Sequence, residues 1–230
     1  MASGTEAEEF LYHLTHDLRA HVRALRVLPD WIDEDLAAAG VTLPAGVGEH
    51  IAMLRDYANM LDRMLNALTD LSRVGRLADA PGPVPLWPLL REIWSALPHA
   101  AGFTLDLKGD PPVVLGPRND LARAFEALLR NAVDHHHMGG GHVEVSAHRS
   151  GARVLLWIED DGPGIAPELR AQVFKPLQSL KPRSETGLAG IGLAIARKVV
   201  EQASGRISLV DPIGTTGCAV TVDLPLDSSG

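Results

Sequence analysis

Along the first third of the chain, apolar residues recur at alternating spacings of three and four. One series runs Leu11, Leu14, Leu18, His21, Leu25, Leu28 and Ile32, and a second runs Ile51, Leu54, Ala58, Leu61, Leu65 and Leu68. Such spacing keeps one face of a helix apolar and predicts two long helices within residues 5–78, with heptad-like seams. The break between them is Ala39-Gly40-Val41-Thr42-Leu43-Pro44-Ala45-Gly46. His21 stands on the seam and is expected to face inward. Pro29 falls inside the first helix, where its missing N–H should bend it. A lone hairpin buries little, so the economical solution is a second copy and a dimeric four-helix bundle.

The pattern changes at Asp79-Ala80-Pro81-Gly82-Pro83-Val84-Pro85, where three prolines in seven residues cannot continue a helix. Beyond it, Leu86 to Leu97 reads as a helix, Phe103–Leu107 and Val113–Leu115 as short strands, and Asn119 to about His135 as an amphipathic helix. Val143–Ala147 and Arg153–Glu159 alternate or run apolar as strands. Ile191–Ala203 is helical, and Arg206–Val210 and Cys218–Leu224 close as strands. The expected fold is α+β: an antiparallel helical hairpin over 1–78, a linker over 79–85, and a two-layer α/β sandwich over 86–230.

Composition narrows the class. The 230 residues are 46% hydrophobic and 22% charged, as in a globular protein. A net charge of −8 argues against broad nucleic-acid binding, which needs a basic surface. No run of about 18 apolar residues is present to span a membrane, and no signal peptide is visible. The single cysteine, Cys218, excludes an intramolecular disulfide, and a cytoplasmic location is expected. His135, His136 and His137 are consecutive, so on a helix they point about 100° apart and cannot hold one metal together.

Four stretches carry candidate chemistry. In Phe10-Leu11-Tyr12-His13-Leu14-Thr15-His16-Asp17-Leu18-Arg19, Leu14 and Leu18 take the seam and leave His16 pointing to solvent. An exposed imidazole beside the Asp17 carboxylate suits a nucleophile whose proton the acid accepts, and a solvated surface histidine is the bland alternative. Asp160-Asp161-Gly162-Pro163-Gly164-Ile165 follows a strand. Its glycines admit a ligand to the backbone, and a carboxylate at a strand end accepts from an amine. Gly187-Leu188-Ala189-Gly190-Ile191-Gly192-Leu193 opens a helix, whose free N–H groups favour phosphate. Asn131 lies late on its amphipathic helix, where an amide oxygen reaches a hydrated Mg²⁺.

In this order the stretches resemble the catalytic core of a sensor histidine kinase over nearly the whole chain. Phe10 through Arg19 is similar to the H-box, Asn131-Ala132 to the core of the N-box, and Asp160 through Ile165 to the first glycine box. Val173-Phe174-Lys175-Pro176 resembles the F-box, Gly190-Ile191-Gly192-Leu193 the second glycine box, and Gly214-Thr215-Thr216-Gly217 the final glycine turn. The Thr-His-Asp-Leu-Arg run and the segment Leu180-Lys181-Pro182-Arg183 are most similar to phytochrome-like and PAS-linked kinases. The resemblance implies a Bergerat-type ATP-binding sandwich and ATP with Mg²⁺ as cofactors. It further implies His16 as phosphoacceptor, Asp17 as its acid/base neighbour, Mg²⁺ on Asn131 and adenine on Asp160, with Gly162 and Gly164 beside it. Gly190 and Gly192 fall at the phosphates. The implied partners are a second copy of the chain and the receiver domain of a response regulator, whose aspartate takes the phosphoryl group. Any sensor domain is expected outside this chain, truncated from it or on another protein.

The departures are specific. His21 replaces the usual H-box proline. Ala20 stands four residues after His16, where kinases that are also phosphatases often carry Thr or Asn. Ala127 replaces the first N-box asparagine, Asp134 a basic residue, and Leu188 the first glycine of the second box. Asp134 would repel phosphates unless Mg²⁺ intervenes, so phosphate contacts are expected from Lys175, Lys181 or Arg183. Hydrolytic relatives place a water-activating glutamate one turn before the asparagine. Here Glu126 is one residue early, about 100° off that face. The competing expectation is a dimeric phosphotransfer or scaffold module with a degenerate nucleotide domain.

Overall fold

The computed structural model describes residues 2–76, 79–98, 100–178, 190–214 and 216–227, with the backbone alone for 2–12 and 45. Contacts divide it into two units that part between Ser72 and Arg73.

Helices α1 (Ala2–Ala38) and α2 (Ala45–Arg73) form the first unit. Three polar rungs set their register. Arg19 donates to Thr69 Oγ1 at 2.8 Å, Arg26 pairs with Asp62 at 3.0 Å, and Arg55 pairs with Asp33 at 2.8 Å. Descending α1 by heptads (19, 26, 33) meets α2 ascending by the same step (69, 62, 55), which defines an antiparallel hairpin. One turn before each rung lies a buried residue: Thr15, Val22 and Pro29 on α1, Ile51, Ala58 and Leu65 on α2. The helix runs on through Pro29.

The leucine seam is a different stripe. Leu14, Leu18, Leu25, Leu28 and Ile32 remain 39–45% exposed, and Leu54 and Leu61 of α2 are exposed with them. His21, expected inward, is exposed and donates from Nδ1 to the Asp17 carbonyl at 3.1 Å. The cause is helical phase. Val22, about 100° further round, lies on the stripe that the polar rungs bring against α2, and it takes the inward place.

The second unit is built on a five-stranded sheet, ordered β2-β4-β5-β7-β6. Its strands are β2 (Phe103–Lys108), β4 (Gly141–Ser150), β5 (Arg153–Asp160), β6 (Arg206–Val210) and β7 (Cys218–Pro225). Only β2 and β4 run parallel, joined through helix α4 (Arg118–Asp134). Alternation puts Val143 and Val145, then Val154, Leu156 and Ile158, then Val220, Val222 and Leu224 on one buried face. Covering that core are α3 (Leu86–Ala96), α4 and α5 (Gly192–Gln202). Helix α4 contributes Leu121, Ala124, Phe125, Leu128, Leu129 and Ala132, spaced to cover one face.

The proline run contains a strand. β1 (Gly82–Pro85) pairs antiparallel with β3 (Val113–Gly116) and on no other side, which is where prolines fit a ladder. The segment before it is fastened to the same unit. Val74 is fully buried, Gly75 N–H donates to the buried Asp120 at 3.0 Å, and Asp79 accepts from Asn119 N–H at 3.2 Å. Asp79 thereby caps α4, whose own N-cap residue Pro117 offers no side chain.

Candidate functional site

Each unit carries candidate residues of its own. On the hairpin, the His16 side chain is 70% exposed and its Nδ1 lies 3.3 Å from Asp17 Oδ1. A proton on Nδ1 is then shared with the carboxylate, which leaves the Nε2 lone pair to solvent. The Asp17 carboxylate is itself exposed, so the pair adds little stability. What the contact does is fix the orientation of one ring nitrogen toward the carboxylate.

In the second unit the candidates lie at the end of β5, opposite the start of β7, and on α4 where it meets the start of α5. Asp160 closes β5, and its Oδ1 accepts two backbone N–H groups, from Gly162 at 3.0 Å and Cys218 at 3.2 Å. With Oδ1 so engaged, Oδ2 is the atom left for a ligand donor. Burial raises the Asp160 carboxyl above its ordinary value; those two amides and the nearby His136 pull the other way. Beside it, the thiol of Cys218 is buried and pushed up to about 12, chiefly by desolvation and then by Asp160.

The backbone here requires glycine. A Cβ on Gly217 would lie 1.7 Å from the Asp160 carbonyl oxygen, and one on Gly164 would lie 2.7 Å from the Gly217 carbonyl. Both have positive φ, 110° and 75°. Gly217 therefore meets Asp160 and Gly164 main chain to main chain.

Asn131 is half-buried on the flank of α4 that also carries Ala127 and Asp134. This flank faces the start of α5, since a Cβ on Gly192 would lie 3.5 Å from that of Ala127. Gly190, with φ of 65°, precedes the helix. Among the described residues no three His, Cys, Asp or Glu converge on a metal position. One amide oxygen without a carboxylate cage suits Mg²⁺ that takes its other ligands from phosphate and water, so Asn131 fits the ion. Lys181, Arg183 and Leu188 lie outside the described residues. Lys175 is exposed, and Val173 and Phe174 before it are buried.

Residues 116–228 match the sequence profile of the histidine kinase-, DNA gyrase B-, and HSP90-like ATPases. Over 95% of its length the chain is 27% identical to the methanogenesis regulatory histidine kinase FilI of Methanothrix harundinacea, covering 25% of that protein. Over 96% of its length it is 26% identical to the sensor histidine kinase CpxA of Escherichia coli, covering 48% of it. The chain is a histidine kinase catalytic core. The crystal structure of full-length ShkA in complex with AMPPNP shares the fold at a TM-score of 0.65 and 23% identity, over 95% of this chain and 46% of that one. The kinase core thus spans a quarter to a half of the length of these relatives.

Sequence reasoning about the kinase core missed three residues. His136 has a buried side chain. Its Nδ1 accepts from Met138 N–H at 3.1 Å, so Nε2 carries the proton toward Asp161 Oδ1, also at 3.1 Å. Asp161 accepts from His142 N–H as well, and this bond leads the effects that hold its carboxyl below the usual range. Three consecutive histidines conceal the one that is packed. Glu159, the third, accepts from Ile213 N–H at 3.2 Å and Gly214 N–H at 2.9 Å. Its one sequence signal is its place next to Asp160, which alternation turns to the opposite face of the sheet.

Proposed function

We propose that this chain is the core of a two-component sensor kinase, transferring the γ-phosphoryl group of Mg·ATP to His16 and then to an aspartate of a response-regulator receiver domain. The observation that supports it most is the pairing of a solvent-facing imidazole, oriented by Asp17, with an ATPase-family domain in one chain. Asp160 Oδ2 accepts from the adenine 6-amino group, Gly162 and Gly164 let the base approach the main chain, and Asn131 gives its amide oxygen to Mg²⁺. Mg²⁺ supplies charge neutralisation on the phosphates. The N–H groups at the start of α5, reached through Gly190 and Gly192, receive phosphate oxygens, and Lys181 and Arg183 add positive charge.

At the hairpin, Nε2 of His16 attacks phosphorus, the bond from phosphorus to the ADP oxygen breaks, and the Nδ1 proton passes toward Asp17. Positioning and charge neutralisation carry most of the acceleration, and proton acceptance by Asp17 adds about 10²–10⁴-fold. The exposed leucine seam of α1 and α2 is the face on which a second copy completes a four-helix bundle. Among the described residues no helix is long and apolar enough to cross a membrane. A donor drawn from the ATP pool places these residues in the cytoplasm.

The test is incubation with γ-labelled ATP and Mg²⁺, comparing wild type with His16→Ala and Asn131→Ala. Acid-labile, alkali-stable label on the wild type, absent from both variants, is expected. An unlabelled wild type whose His16 still accepts phosphate from a phosphorylated regulator would instead identify a phosphotransfer module.

A further inference from the structure

The loop at residues 211–217 joins β6 to β7 and ends against the carboxylate assigned to adenine. It is held at three points. Arg170 pairs with Asp211 at 2.7 Å and donates from Nε to the Ile165 carbonyl, linking the loop to the chain after the first glycine box. At its far end, Gly217 lies against the Asp160 carbonyl and Cys218 N–H donates to Asp160 Oδ1. Between these points the two oxygens of Glu159 take two successive amides, Oε2 from Ile213 and Oε1 from Gly214. Ile213 is 76% exposed and packs nothing, so main-chain hydrogen bonds fix this part of the loop.

We propose that Glu159 is a positioning residue for adenine recognition, holding the 213–214 amides so that Gly217 and Cys218 keep Asp160 Oδ1 occupied and Oδ2 turned to the 6-amino group. The two neighbouring carboxylates act from opposite faces of one strand: Asp160 meets the base, and Glu159 fixes the loop that orients Asp160. A carboxylate is needed because both oxygens must accept. A glutamine would bring an NH₂ against one of the two N–H donors. This assignment rests on the reading of Asp160 as the adenine acceptor.

The experiment compares the affinity of the full chain for ATP and for purine riboside 5′-triphosphate, which is ATP without the 6-amino group. Wild type is expected to prefer ATP by about 10- to 100-fold, the worth of one hydrogen bond to a charged acceptor. Glu159→Gln is expected to weaken ATP about tenfold and leave the purine riboside triphosphate unchanged, so that the preference collapses. Ile213→Pro removes one donor from the loop side with Glu159 intact, and is expected to lower the preference in the same direction. Equal weakening of both nucleotides in the two variants would make Glu159 a general prop and overturn the proposal, as would an unchanged preference. A wild type that binds ATP and the analogue equally would sink the assignment of Asp160 itself, a result separable from the others because it needs no variant.

Discussion

At the residue scale, Asp160 bears two opposed demands. Its charge is costly because it is buried, and burial is the first cause of its raised pKa. A carboxyl raised in the folded state favours folding most when protonated, so its contribution to stability is lost as pH rises through the folded value. Nucleotide binding through the adenine contact proposed for Asp160 has the opposite sign, because an ionised carboxylate is the better acceptor for an amine. ATP affinity is therefore expected to fall as pH drops through that raised value, where the protonated carboxyl also escapes the burial cost. Asp160→Asn should weaken ATP by about 1.5–3 kcal/mol, or about 10- to 100-fold, with little loss of folding stability. It should also flatten the acid limb of the binding curve relative to wild type. Calorimetric titration across pH checks both, and a variant that kept the wild-type slope would reassign that limb to another group. Asp161 has the reverse sign: its carboxyl is lowered, and the stability it adds is lost as pH falls. Part of this site was visible in the chain. Strand-end carboxylates and glycines announce a turn open to a ligand, and His16 is exposed as expected, although Leu14 and Leu18, from which that was argued, are exposed too. Glu159 was not visible, because its partners are 54 and 55 residues away and no local pattern encodes them.

At the element scale, periodicity told more than composition. The heptads predicted both hairpin helices, yet the described members of the α1 series are all exposed, and the α2 series serves two surfaces. Ile51, Ala58 and Leu65 are buried, whereas Leu54 and Leu61, drawn from the same series, are exposed. The split lies along the Arg19–Thr69, Arg26–Asp62 and Arg55–Asp33 rungs, which flank the buried stripe and can be read only as pairs. Leu25→Glu tests the surface left over. Losing two leucines across a symmetric seam costs about 3–6 kcal/mol, so dimer dissociation should be raised more than about 100-fold. Sedimentation of the variant at micromolar concentration is expected to show monomers with unchanged ATP affinity. A variant keeping the wild-type mass would mean that this seam is not the dimer face. Proline misled in the other direction. Three prolines at 79–85 do exclude a helix, but they are compatible with an edge strand, and β1 is one.

At the scale of the whole molecule, the division between units falls at the end of α2. Arg73 is the last residue of that helix and Val74 is already fully buried in the second unit. Burial of Val74 and the Gly75–Asp120 hydrogen bond mark this boundary, and composition cannot see them. The same fold leaves a single thiol in 230 residues, and it lies beside Asp160, pushed up to about 12. Near neutral pH almost none of it is thiolate, so an electrophile finds no target until the strand carrying it swings away from β5. Cys218 is therefore a built-in stopwatch: its alkylation rate counts how often this wall opens. ATP at a concentration that just saturates wild type should slow that clock in wild type and slow it far less in Asp160→Asn. Mass spectrometry of the alkylated chain would then time the breathing of the nucleotide site with no label added to the protein.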